Sequence, residues 1–204
     1  MSEPVSYQEL ALLVATLQLE VDRLRKEVEI DPLTRLKNKR GLDRQIKLIF
    51  SNSSATKIPV AVLLIDIDHF KKFNEKHGYQ KANEVLIALA EKLREYDAVR
   101  WGGEEFVVIL TNITHQQALM VAERIREIVM KLDIGIEQTT VSIGVASSDS
   151  KGHDFEELFF RANIALREAK KNSQHRLWRH SDRSLAIHTT RMPTGMRVSS
   201  LVSL

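Results

Sequence analysis

Along residues 7–28 the apolar positions alternate in steps of three and four. Tyr7, Val14, Val21 and Val28 occupy one heptad position, and Leu10, Leu17 and Leu24 occupy another. That period predicts a helix. β-Branched residues at the first core position with leucine at the second favour a parallel two-stranded coil. Leu12, Leu13 and Leu19 widen the apolar face, so one amphipathic helix packed on its own domain is the competing reading. Asp31-Pro32 ends the pattern, because the residue before proline is pushed out of helical geometry.

A second helix is predicted over 39–50, followed by a polar loop at Ser51-Asn52-Ser53-Ser54. Val60-Ala61-Val62-Leu63-Leu64-Ile65 is a continuous apolar run, the mark of a strand buried on both faces, and it stops at Asp66-Ile67-Asp68. Residues 81–95 repeat with helical spacing through Ala82, Val85, Leu86, Leu89, Ala90 and Leu93. Two short strands, Ala98–Trp101 and Phe106–Leu110, flank Gly102-Gly103-Glu104-Glu105 closely enough to form a hairpin. A helix through Ala118, Val121, Ala122, Ile125, Val129 and Leu132 follows, then a strand over Thr139–Val145 and a last helix over 154–171. Helices and strands in this order predict an α+β fold, a sheet with helices against it. Beyond His175 the periodicity stops, and the Ser/Thr/Arg-rich end reads as disordered.

Composition narrows the picture. The chain has 204 residues, 43% of them apolar, which suits one ordinary core and an appendage. It has no cysteine, which excludes disulfides, thiolate chemistry and sulfur-ligated zinc. The opening MSEPVSYQEL lacks a basic segment followed by an apolar stretch, and no apolar run approaches the ~20 residues that span a bilayer. A cytoplasmic location is therefore expected. The net charge of +3 is uneven: residues 167–204 hold eight Lys/Arg against two Asp/Glu, so the excess belongs to the tail. Such a tail can bind phosphate backbones or anionic lipid. With no aromatic platform interleaved, it reads as a solvated end, and a nucleic-acid partner is not expected.

Two acidic clusters carry the candidate chemistry: Asp66 with Asp68 at the end of a buried strand, and Glu104 with Glu105 in a hairpin turn. An unpaired charge beside a core is costly, so these carboxylates call for a partner. A divalent cation is one, and magnesium needs only one or two carboxylates plus substrate phosphates. Gly102 and Gly103 leave room for a ligand to come close and supply positive φ for the turn. Residue types alone leave two readings open, metal-dependent phosphoryl or nucleotidyl transfer and a solvated turn with a strand-end cap. The clusters can meet only if their strands are neighbours in the sheet.

Five landmarks, in order and in register over residues 31–172, resemble the GGDEF domain family of diguanylate cyclases. They are Asp31-Pro32-Leu33-Thr34-Arg35-Leu36-Lys37-Asn38-Lys39-Arg40, Asp66-Ile67-Asp68-His69-Phe70-Lys71-Lys72-Phe73-Asn74, and Arg100-Trp101-Gly102-Gly103-Glu104-Glu105-Phe106 with a glutamate-form signature, then Ser142-Ile143-Gly144 and Ala165 to Lys170. The resemblance implies a ferredoxin-like βααββαβ core with an antiparallel-containing sheet, preceded by a coiled-coil helix. It divides the chain into a dimerisation helix over 1–30, the GGDEF domain over 31–175 and a basic tail over 176–204. It further implies Mg2+ (or Mn2+) held by Asp66, Glu104 and the Ile67 carbonyl, with Glu105 assisting the metal or the deprotonation of a ribose 3′-hydroxyl. Gly102 and Gly103 would lie along GTP, Asn74 and Asn83 at its guanine edge, and Lys170 on its terminal phosphates. The implied reaction condenses two GTP into cyclic di-GMP and pyrophosphate across a homodimer joined by the coil.

The sequence departs from the family pattern at named places. Ala82 and Asn83 stand where the family has glycine and aspartate, and Gln174 stands where a phosphate-binding arginine is usual. Arg94 and Asp97 have the letters of the family's Arg-x-x-Asp product-inhibition motif, but only four residues separate Asp97 from Gly102. That spacing leaves an inhibitory site and ordinary charges at a helix end as alternatives. Asn83 and Gln174 likewise motivate two alternatives to the diguanylate cyclase: a cyclase with altered purine preference, and a degenerate module that binds GTP or cyclic di-GMP without catalysis. Leu12, Leu13 and Leu19 provide a place for a regulatory protein partner.

Overall fold

The computed structural model describes residues 6–148, 154–171 and 177–179 except 57, 134 and 136, without the side chains of 25–27, 51–56 and 177–179. Helix α1 runs Tyr7–Glu29 and starts from a capping box, in which the Ser6 hydroxyl accepts from Glu9 N–H while the Glu9 carboxylate accepts from Ser6 N–H. Its seam residues are exposed along the whole helix, from Tyr7 and Leu10 to Leu24 and Val28. The stripe is therefore not packed on this chain's own domain.

Helix α2 (Lys39–Thr56) extends through Ser51-Asn52-Ser53-Ser54, so the loop expected there is helix instead. Gly41 lets α2 meet the end of α1: a Cβ there would stand 2.7 Å from the Glu29 carbonyl oxygen. Strand β1 (Val60–Ile67) is buried throughout. Ala61, Leu63, Ile65 and Ile67 enter one core, with α3 and α4, and Val60, Val62 and Leu64 enter the other, with α2 and α5. Burial on both faces explains why the run lacks polar alternation.

Helix α3 (Phe70–Leu93) starts earlier than its apolar spacing predicts and breaks at Gly78, with φ 82° and ψ 164°. The two segments are the paired helices of a β-α-α-β unit. A 3₁₀ turn, Arg94–Tyr96, leads into the hairpin of β2 (Val99–Gly102) and β3 (Glu105–Thr111). Helix α4 (His115–Met130), strand β4 (Val141–Ser147) and helix α5 (Phe155–Lys171) complete the core. The sheet order is β2-β3-β1-β4-β5, with β1 antiparallel to both β3 and β4. Strand β5 (Leu177–Arg179) pairs parallel to β4, which corrects the expectation that regular structure ends near His175. The rest of the basic tail lies outside the described residues.

Candidate active site

The centre of the site follows from the register of β1. Asp66 lies opposite Glu105 on β3 and opposite Ser142 on β4, and the Ile67 amide donates to the Glu104 carbonyl at 3.4 Å. The strands bearing the two acidic clusters are therefore neighbours. Asp66 continues the Val60, Val62, Leu64 face, the face covered by α5.

Small residues on β4 and α5 set how closely that helix lies. A Cβ on Gly144 would overlap the Ala162 carbonyl oxygen and stand 2.5 Å from the Leu166 amide nitrogen, while Ala162, Ala165 and Ala169 are buried. The close approach carries the last turn of α5 to the end of β1, where Lys170 Nζ lies 2.6 Å from Asp66 Oδ2. Lys170, expected from the family resemblance at the terminal phosphates, here rests on the carboxylate.

The Asp66 carboxyl is raised to about 6, chiefly by burial; Lys170 opposes the rise, and Glu104 and Glu105 add to it. This buried carboxylate already draws in a cation, and the oxygen donors around it suit a hard divalent ion. Among the described residues there is no group of three His, Asp or Glu side chains assembled around a metal position. A cation here needs backbone and substrate oxygens as well as carboxylates, which is how magnesium is commonly bound.

Asp68, grouped with Asp66 in sequence, has a different role. Its two oxygens accept from Ser142 Oγ at 2.6 Å and Thr140 Oγ1 at 2.8 Å, and its amide donates to the Thr140 carbonyl. These bonds lock the strand-to-helix turn before His69 enters the left-handed region at φ 57°. The hydroxyls come from Ser142 on β4 and from Thr140 just before it, over 70 residues away, so no local pattern announces them.

Two residues that the sequence reading gave no site role hold the glycine turn. Arg100 donates through Nε and Nη2 to the Gly103 carbonyl, at 3.1 and 2.8 Å, and through Nη1 to Asp31 Oδ1 at 3.0 Å. Burial opposes the charge on Asp31, yet hydrogen bonds from Thr34 and the Arg100 guanidinium keep its carboxyl below the ordinary range. Gly103 has φ 43°, where a side chain would be strained. A hydrogen-bonded chain thus links the end of α1, through Asp31 and Arg100, to the turn that bears Glu104.

Asn74 and Asn83 are half-buried on the two segments of α3, on either side of the Gly78 break. Arg94 donates to the carbonyls of Thr34 and Arg35 at 3.3 Å. Asp97 pairs with Lys37 at 2.6 Å and accepts from Gln45 at 3.1 Å. Both are engaged with the Asp31–Arg40 segment and the start of α2.

An antiparallel hairpin whose glycine turn brings two glutamates beside a buried strand-end aspartate, with a lysine closing over it, defines a nucleotidyl-cyclase-like site. The family model "Diguanylate cyclase, GGDEF domain" matches residues 28–176, and the chain belongs to that family. Diguanylate cyclase DosC of Escherichia coli is 35% identical over 168 residues, covering 77% of this chain and 36% of DosC. The chain thus spans about a third of the length of that relative. The coiled coil and GGDEF domain of DgcB from Caulobacter crescentus, solved with c-di-GMP, superposes with a TM-score of 0.76 at 23% identity, covering 85% of this chain and 96% of that one; this likeness is one of fold. Diguanylate cyclase SiaD of Pseudomonas aeruginosa, solved with its activator SiaC, gives a TM-score of 0.71 at 26% identity, covering 85% of this chain and 71% of SiaD.

Proposed function

We propose that this chain is a magnesium-dependent diguanylate cyclase that works as a homodimer. The observation that carries the reading is the meeting of Asp66, Glu104 and Glu105 at one sheet end with Lys170 on Asp66. The Asp66 and Glu104 carboxylates and the Ile67 carbonyl would hold the cations. Such ions would supply charge stabilisation to the oxygens of an in-line displacement. Gly102 and Gly103 let the turn lie along the nucleotide, and Asn74 and Asn83 read the purine. Lys170 leaves Asp66 for the phosphates, a short move for a flexible side chain. Glu105 takes the proton of the ribose 3′-hydroxyl as that oxygen attacks the α-phosphorus and pyrophosphate departs.

Each domain offers half of the reaction, one GTP per site, so two copies must face each other. The exposed seam of α1 supports residues 1–30 as the joint, since a short tether raises effective concentration to roughly millimolar. Leu12 and Leu19 lie on the outer side of that seam, at 70% and 73% exposure, and suit a regulatory protein partner. That SiaD was solved with an activator makes such control reasonable for this family. No helix among the described residues is long and apolar enough to cross a membrane, which is compatible with a cytoplasmic enzyme.

Incubating the purified chain with GTP and Mg2+ and resolving the products by chromatography tests the reading. Cyclic di-GMP and pyrophosphate are expected from the native chain and neither from Glu104→Ala/Glu105→Ala. A verified dimer that yields no cyclic dinucleotide from GTP, ATP or their mixture rejects it.

A further inference from the structure

Beside the glycine turn, at Gly102 and Gly103, a cavity of about 470 Å³ is lined by Asp31, Asn38, Lys39, Arg40, Arg100 and Trp101. Three of these side chains are cationic and one is anionic. Arg100 has spent three of its five N–H donors, two on Gly103 and one on Asp31, and its side chain is only 15% exposed. Lys39 has its ammonium 4.3 Å from the centre of the Trp101 ring, and among the described residues neither Lys39 nor Arg40 has a carboxylate partner. The one carboxylate, Asp31, has an oxygen that already accepts from the Thr34 amide, the Thr34 hydroxyl and Arg100. Asn38 caps the amides of Arg40 and Gly41, so the positive character of the cavity comes from side chains and not from a free helix end.

We propose that Lys39, Arg40 and Arg100 make this cavity a second anion site, which meets the GTP half-site only at Gly102 and Gly103, for a small phosphorylated anion no larger than a mononucleotide. Arg100 has two N–H donors left, and Lys39 and Arg40 add mobile charge from exposed side chains; guanidinium forks and ammonium groups are the usual phosphate ligands. A volume of this size is within the range of small-molecule sites. The cation–π contact of an exposed lysine is weak enough for a phosphate to displace. An anion on the remaining Arg100 donors lies against the residue that links the end of α1 to the turn carrying Glu104.

Two sources share this chemistry, the pyrophosphate released by nucleotidyl transfer and a free mononucleotide. Isothermal titration of the full-length chain with inorganic pyrophosphate, and separately with GMP, in EDTA keeps metal-dependent binding at Asp66 and Glu104 out of the measurement. Emission of Trp101 in a Trp178→Phe background gives an independent readout, since the ring lines the cavity. Saturable binding is expected that survives Lys170→Ala and weakens at least tenfold in Lys39→Ala/Arg40→Ala, with circular dichroism showing that each variant is folded. Tighter binding of GMP assigns the site to a nucleotide, and tighter binding of pyrophosphate to the released product. Binding lost in Lys170→Ala, unchanged in Lys39→Ala/Arg40→Ala, or absent for both probes overturns the proposal. None of these readouts depends on cyclase turnover.

Discussion

At pH 8 the Asp66 carboxyl is ionised in surroundings that raise its pKa to about 6, burial being the largest cause. Between its ordinary value of 3.8 and about 6, the folded chain holds this proton more tightly than the unfolded chain. Its contribution to stability therefore falls as pH rises through that interval. Asp66→Asn removes the buried charge, and without metal at pH 8 we expect a gain of ~1 kcal/mol in chemical denaturation together with complete loss of turnover. A destabilised Asp66→Asn would show that the Lys170 pair, not burial, dominates there. Asp31 has the opposite sign. Its lowered pKa stabilises the fold fully above about 3.8, and this contribution is lost as pH falls through the lower folded value. Thermal melts of native protein and Asp31→Asn should therefore converge on acidification below pH 4; a constant gap would place the effect elsewhere.

Among the elements, β4 and α5 show how one position governs a site it does not touch. Gly144 has no Cβ, so α5 can press its alanines onto β4, and that approach puts Lys170 within 2.6 Å of Asp66. Gly144→Ala drives a methyl into the helix backbone, and overpacking of this kind costs ~1–3 kcal/mol. We expect a destabilisation in the upper part of that range, with kcat reduced more than tenfold in the protein that remains folded. Equal activity per folded molecule would show that the setting of α5 does not matter to the chemistry. The elements themselves were largely legible. β1, α4 and α5 follow from apolar runs and helical spacing because each buries a continuous face. The start of α3 was not, because its first segment buries little besides Phe73 before the Gly78 break. The helical course through Ser51–Ser54 runs against the local preference of serine and asparagine.

For the whole molecule, the apolar stripe of α1 is an unfinished surface, since its seam residues find no cover among the described residues. Leu10→Asp/Leu17→Asp places charge in the middle of that seam. Sedimentation should then show a monomer at micromolar concentration, and activity per mole should increase with protein concentration. A variant that stays dimeric would mean that the domains associate through another face. The hydrogen-bonded path from Asp31 through Arg100 to Gly103 connects the end of α1 to the turn that bears Glu104.

Sequence alone determined most of the elements, the acidic clusters and the glycine turn between two strands, because hydrophobic period and turn chemistry are local properties. Only the tertiary structure decided that Asp66 faces Glu105 and Lys170, that Asp68 is held by Thr140 and Ser142, and that Arg100 ties the turn to Asp31. Those pairings depend on strand register and on how closely α5 packs. Both are set by long-range side-chain packing that no stretch of neighbouring residues encodes.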